Sequence, residues 1–81
     1  MIKFEIIKDV EMNSDNGGEI IMWVSENNIK RKVGLFFDRG ESLCDVLLLD
    51  DNENVSEDKI ENVFSGELIE RLWSESLIEF N

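Results

Sequence analysis

The first half of the chain has the spacing of apolar and polar residues that is typical of β-strands. Ile2, Phe4 and Ile6 alternate with more polar positions, which predicts a strand with one buried face. Residues 20–24 form a continuous apolar run of strand-forming residues, which predicts a central strand covered on both faces. Further strands are predicted at Ile29–Phe37 and Leu43–Leu49.

Short polar segments separate these predicted strands. Residues 13–18, 26–28 and 38–41 are rich in Asn, Asp, Ser and Gly, the residues that favour turns. Because strands joined by short turns pair with their neighbours in sequence, we expect an antiparallel meander.

The second half changes to a helical spacing. Ser56 is a suitable N-cap, followed by Glu57 and Asp58 in the first turn, where the helix dipole favours anions. Apolar residues then recur every four positions: Ile60, Phe64, Leu68 and Leu72, with Val63 beside them. This stripe predicts one helix over residues 57–74, with two helices broken at Gly66 as the alternative. Residues 77–80 fit either a last helical turn or a short strand.

These elements predict a single domain, residues 1–81, of the α+β class. Its architecture is a four-stranded antiparallel meander, in chain order, with one C-terminal helix packed on one face of the sheet. A hydrophobic content of 42% is sufficient for a core without disulfides. The lone cysteine, Cys44, lies in an apolar run and is predicted to be a small buried residue.

Charge is distributed unevenly along the chain, whose net charge is −11. Residues 1–40 contain seven acidic and six basic residues, whereas residues 41–81 contain twelve acidic residues and only Lys59 and Arg71. This excess of acidic residues disfavours direct binding to nucleic acid or to an anionic membrane. It favours a basic protein surface or a hard cation as the partner.

Several classes of catalytic site are excluded by residue type. The chain has no histidine, so catalytic triads and histidine zinc sites are impossible, and it has no glycine-rich phosphate loop. Carboxylate pairs remain, but 81 residues leave little room for a dry cleft. We therefore expect neither enzymatic activity nor a cofactor. The single cysteine and the lack of a long apolar segment favour the cytoplasm.

The segment from Asp50 to Glu61 has part of the oxygen spacing of an EF-hand calcium loop. Val55 stands where that loop needs glycine for its sharp turn, and a predicted strand precedes it rather than a helix. We therefore interpret the segment as a polar turn leading to Ser56 and expect no metal site.

Carboxylates around the predicted helix form the candidate binding surface. The candidate residues are Asp50, Asp51, Glu53, Glu57, Asp58, Glu61 and Glu70, with Trp73 as an apolar anchor if it lies at the helix flank. Two interpretations are open: a solvated face that maintains solubility, or an array that replaces phosphates in a nucleic-acid-binding groove. The basic cluster at residues 30–32 is expected to pair with Glu19 and Glu26 across the sheet.

The phosphate-replacing interpretation predicts an inhibitor that blocks a basic nucleic-acid-handling protein, such as a nuclease toxin or a host-defence nuclease complex. In kind, a small acidic protein without catalytic residues resembles immunity proteins and anti-CRISPR or anti-restriction proteins. The resemblance covers no motif and implies no site residues. The alternative is a non-enzymatic structural or adaptor module that forms homo- or hetero-oligomers.

Overall fold

A computed structural model describes residues 1–13, 17–38 and 43–75 of the chain. Four strands, β1 (Ile2–Asn13), β2 (Gly17–Glu26), β3 (Ile29–Phe37) and β4 (Leu43–Leu49), form one antiparallel sheet in the order β1-β2-β3-β4. A single 3₁₀ turn (Ile60–Asn62) and helix α1 (Gly66–Glu75) follow. The predicted α+β meander with one C-terminal helix is confirmed. The predictions for residues 14–16, 39–41 and 77–80 lie outside the described residues.

One face of the sheet carries the main core. Ile20, Met22 and Val24 of β2 alternate towards this face, and the β2–β3 register brings them opposite Leu35, Val33 and Arg31. Leu68 and Leu72 of α1 cover this face and are fully buried. Arg31 ends the apolar row, which agrees with a start of β3 at the sheet margin.

The connection between β2 and β3 is a two-residue turn. Asn27 and Asn28 have φ angles of 52° and 72°, and Glu26 pairs with Ile29 across the turn. Two successive positive φ angles define a type I′ turn, whose twist matches that of the flanking strands. Asparagine tolerates this conformation better than most residues, so the Asn-Asn pair determines the β2–β3 register.

The prediction of a helix from residue 57 is wrong over its first half. Ser56 does not cap a helix: its Oγ accepts the Asp58 N–H at 3.1 Å in a local turn. The true N-cap is Ser65, whose Oγ accepts the N–H of Leu68 at 3.2 Å, three residues on. The apolar stripe still faces the core because Phe64 packs there from an irregular segment. Among the described residues, no helix has the length and apolarity needed to cross a membrane.

The prediction that Cys44 is buried is also wrong. Phe37 pairs with Leu43 and Phe36 pairs with Asp45, so Cys44 is the additional residue of a β-bulge. The bulge interrupts the alternation of β4, and Cys44 is exposed although Val46 and Leu48 are buried. Partial desolvation, and then the negative charge of Asp38, raise the pKa of its thiol. A raised pKa keeps the thiol protonated at neutral pH, where it is a poor nucleophile.

The opposite face of the sheet carries a smaller apolar cluster. Ile21 is 3% exposed and Leu49 is also buried there, although no helix covers this face in the described part of the chain. Gly34 pairs with Ile21 on this face, and the ring of Phe36 stands directly over it: a Cβ at Gly34 would lie 2.8 Å from Phe36 Cε2 and 3.1 Å from Leu49 Cδ1. Because Gly34 has no side chain, the Phe36 ring can pack directly over its backbone.

Candidate functional site

A groove of about 480 Å³ is lined by residues of β4, of the segment 55–61 and of α1. We call it the β4-edge groove. Its apolar lining includes Val55, Ile60, Ile69 and Trp73, and its acidic lining is Asp45, Glu57, Asp58 and Glu61, against one base, Lys59. Ligand sites in proteins commonly combine an apolar lining with a few polar groups in a cleft of this size.

Two side chains give the groove an accessible apolar surface. Val55 is 60% exposed and Trp73 is 44% exposed, which are high values for large apolar residues. Trp73 follows Leu72, which is buried, so the turn of α1 carries its ring to the flank of the helix. Ile69, one turn earlier, is partly buried against the core and supports this flank. The sequence-based expectation that Trp73 lies at the helix flank is confirmed.

Backbone hydrogen bonds place Val55 beside β4. Leu49 and Val55 form an antiparallel bridge, and the Ser56 N–H donates to the Leu48 carbonyl at 2.9 Å. This return of the chain covers the C-terminal part of the β4 edge. Further along the same edge, the Asp45 carboxylate accepts the N–H of Val46 at 3.1 Å. Acidic and paired groups therefore protect an edge that would otherwise invite strand pairing.

The turn at residues 50–54 is closed by its own hydrogen bonds. Asp50 Oδ1 accepts the N–H groups of Asn52 at 2.9 Å and Asn54 at 3.0 Å. The Asp50 N–H donates to the Asn54 carbonyl, and Glu53 adopts a φ of 66° to complete the turn. Asp50 is therefore a turn-forming residue, since one of its carboxylate oxygens binds its own backbone. Among the described residues, no group of three or more acidic or cysteine side chains is arranged to hold a metal ion.

Glu53 is neutralised by two lysines of the sheet. Lys8 Nζ lies 3.0 Å from Glu53 Oε1, and Lys32 Nζ lies 3.7 Å from Oε2. The hydrogen bond from Lys8 and the positive charges of both lysines lower the pKa of Glu53. The Lys32 side chain is only 13% exposed, because its stem lies along the sheet while its ammonium group reaches the turn. Glu53 therefore holds the turn against the sheet and is not a free carboxylate.

The basic cluster of β3 pairs differently from the prediction. Arg31 Nη2 lies 3.4 Å from Asp58 Oδ2 and 3.5 Å from the Ser56 hydroxyl. Lys30 and Lys32 lie over the ring of Trp23, with Nζ 5.0 and 5.2 Å from its centroid. The bases thus contact the 50–58 segment and an aromatic ring.

The two acids expected to pair with these bases have other neighbours. Glu19 lies opposite Phe36 in the β2–β3 register. Glu26 accepts hydrogen bonds from both the N–H and the hydroxyl of Ser65, which lower the pKa of its carboxyl. The prediction failed because it sought acidic partners only on the neighbouring strand, whereas the acids that pair with Arg31 and Lys32 are Asp58 and Glu53, more distant in sequence.

The structure divides the eight predicted contact residues into three groups. Glu57, Asp58, Glu61 and Trp73 line the β4-edge groove. Asp50 and Asp51 line a smaller hollow on the other face with Trp23 and the basic cluster, and Glu53 binds Lys8 and Lys32 nearby. Glu70 is exposed on α1, outside the groove lining. Among these eight residues, the acids that share one surface with Trp73 are those of the groove, and Asp58 is already paired with Arg31.

Several residues of the groove were not predicted as contact residues, and two of them, Asp45 and Val55, stand out in the sequence. Asp45 is a single acid inside the apolar run of β4, and Val55 is a single apolar residue inside the acidic segment that follows. Each breaks the local pattern, which was the available signal. No family model, curated protein or solved structure matches the chain, so the functional argument depends on this geometry.

Proposed function

We propose that this protein is a non-enzymatic binding protein that inhibits a basic, nucleic-acid-handling protein by occupying its phosphate-binding surface. One observation carries the proposal: Glu57 and Glu61, together with Asp45, line one groove with the exposed Trp73. Such a surface combines charges that attract lysines and arginines with an aromatic residue of the kind that anchors protein interfaces.

The net charge of −11 extends this effect beyond direct contact. A strongly acidic protein is attracted to a basic groove over about a Debye length, roughly 8 Å at physiological ionic strength, which accelerates association. Carboxylates then make charge-assisted hydrogen bonds with the lysines and arginines that otherwise hold phosphates.

The proposed contact set is narrower than the predicted one. Asp51, Glu57, Glu61, Glu70 and Trp73 remain contact residues, since they are exposed and no ion pair among the described residues holds them. Glu53 and Asp58 serve to hold the 50–58 segment on the sheet, and Asp50 forms its turn. We place the protein in the cytoplasm, where its single exposed cysteine stays reduced.

Affinity capture with a matched charge reversal tests the proposal. The wild-type protein, Glu57→Lys, Glu61→Lys and Glu5→Lys are immobilised and exposed to lysate of the source cell. Glu5→Lys makes the same charge change on β1, the strand at the far edge of the sheet from β4. We expect the wild type and Glu5→Lys to capture a nucleic-acid-binding protein that added duplex DNA or RNA displaces. The Glu57 and Glu61 variants should capture about tenfold less of it.

Two outcomes would contradict the proposal. One is capture of proteins that do not bind nucleic acid. The other is capture that is equally strong for all four proteins and insensitive to salt.

A second candidate function is that of an adaptor that self-associates through β1. Ile6 and Ile7 are 39% and 41% exposed on this edge strand, and Ile7 is the additional residue of a bulge opposite β2. An exposed edge with apolar side chains can pair with a second chain. Sedimentation velocity over a range of concentrations distinguishes the two, since a salt-insensitive dimer that Ile7→Lys abolishes would support the adaptor.

A further inference from the structure

We infer that the β4-edge groove takes a short partner segment in which one apolar side chain stands between lysines or arginines. The inference rests on the proposed function and names the part of the partner that this site recognises. A purely ionic surface would need only carboxylates. This one combines exposed Val55 and Trp73 with the acids, on a floor formed by the partly buried Ile60 and Ile69.

The arrangement of charge determines the flanking residues of the segment. Asp45, Glu57 and Glu61 border the groove with no ion pair to another described residue, whereas Asp58 is paired with Arg31. Lys59 is the only base in the lining. An apolar side chain that enters between Val55 and Trp73 carries its neighbours towards these acids. Basic neighbours gain from the contact and acidic ones are repelled.

The apolar residue of the segment supplies binding free energy that the ion pairs alone do not. Exposed ion pairs contribute little each and are screened by salt. Burial of one leucine-sized side chain against Val55 and Trp73 removes apolar surface from water on both partners, and this gain is insensitive to salt. The groove should therefore discriminate between basic segments that have an apolar residue and those that do not.

Fluorescence titration measures this directly once Trp73 is the only tryptophan. Trp23→Phe removes the second one, which lies on the opposite face of the sheet beneath Lys30 and Lys32. The probe is a capped pentapeptide, Lys-Arg-Leu-Arg-Lys. Its matched controls are Lys-Arg-Ser-Arg-Lys, with the same charge, and Glu-Gln-Leu-Gln-Glu, with the same apolar residue. Far-UV circular dichroism verifies that each protein variant is folded.

We expect the leucine peptide to shift Trp73 emission saturably to shorter wavelength, and the two control peptides to bind at least about tenfold more weakly. Val55→Ser should weaken the leucine peptide about fivefold and leave the serine peptide unchanged. Glu61→Lys should weaken both basic peptides, while Glu5→Lys should not.

Three results would overturn the inference: no emission shift with the leucine peptide, equal affinity for the serine peptide, or equal affinity of Val55→Ser. An emission shift that follows protein concentration alone would show that a second copy of the chain fills the groove, and would also overturn it. These failures are distinct from failure of the proposed function. If the protein captures a nucleic-acid-binding protein but the groove binds no peptide, the proposed function stands and this inference fails. If the groove binds the leucine peptide but no such protein is captured, the inference stands and the proposed function fails.

Discussion

Gly34 on the uncovered face of the sheet is the position where one added methyl group should be most informative. It lies in the central strand β3 and pairs with Ile21 of β2 on one side and with Leu47 of β4 on the other. A Cβ at this position would lie 2.8 Å from Phe36 Cε2 and 2.9 Å from Cζ, closer than carbon atoms normally approach. The ring must therefore move in the variant Gly34→Ala.

Two opposing terms determine the size of the effect. Inserting a methyl group into a packed site typically destabilises a protein by about 1–3 kcal/mol. Alanine in a strand is otherwise better than glycine by roughly 0.5–1 kcal/mol, because the unfolded chain has less freedom to lose. The contact with Leu49 Cδ1, at 3.1 Å, contributes less because the end of that side chain can rotate. We expect a net destabilisation near the middle of the range that these two terms span, about 1 kcal/mol, which is a fall of roughly 4–8 °C in Tm.

Urea unfolding followed by far-UV circular dichroism measures this free energy, and Phe36→Ala provides the control. When the Phe36 ring is absent, the added methyl group no longer clashes with it. In the Phe36→Ala background, Gly34→Ala should therefore be neutral or stabilising by up to about 1 kcal/mol. The reasoning would be refuted by a Gly34→Ala variant as stable as the wild type. It would equally be refuted if the loss were the same with and without the Phe36 ring.

Two further predictions concern the contacts that attach α1 and the 50–58 segment to the sheet. Ser65→Ala should lower the free energy of unfolding by about 1 kcal/mol, since it removes the N-cap of α1, with Ser65→Thr restoring most of the loss in urea unfolding. A loss no larger than that of Ser74→Ala, which removes only a hydroxyl bonded to the Glu70 carbonyl, would contradict the capping role. The pKa values of Glu26 and Glu53 are lowered in the folded protein, so the unfolded chain binds more protons in acid. Stability from these groups is complete well above the ordinary glutamate pKa of about 4.3 and is lost as pH falls through the lower folded values. Thermal melts from about pH 3 to 7 should therefore show a shallower acid decline in Glu26→Gln/Glu53→Gln, and an unchanged slope would count against these contacts.

Local sequence patterns predicted the structure correctly where it depends on residues that are close together in the sequence. The limits of Ile29–Phe37 and Leu43–Leu49 agree with the strands observed, because alternation and flanking turn residues act within a few positions. The continuous apolar run at residues 20–24 correctly indicated burial on both faces, since Ile21 is buried on the face opposite Met22 and Val24, although no helix in the described part of the chain covers that face.

Errors arose where a tertiary contact competed with a local preference. Ser56 and Ser65 are both plausible N-caps, and only Ser65 meets the carboxylate of Glu26, which binds its N–H and hydroxyl and lies 39 positions away. Cys44 follows the apolar alternation of β4 in sequence, but a bulge opposite Phe36 and Phe37 displaces it. The residues adjacent to Ser65 and Cys44 in the sequence indicate neither the contact with Glu26 nor the bulge.

The sequence by itself determined the class of fold and the size of the acidic excess, because both depend on composition and on short-range periodicity. Only the tertiary structure decided which carboxylates remain free to meet a partner. Neutralisation needs a base within about 4 Å, and folding brought Lys8 to Glu53, 45 positions away, and Arg31 to Asp58, 27 positions away. Glu57 and Glu61 were left beside Val55 and Trp73 in the β4-edge groove.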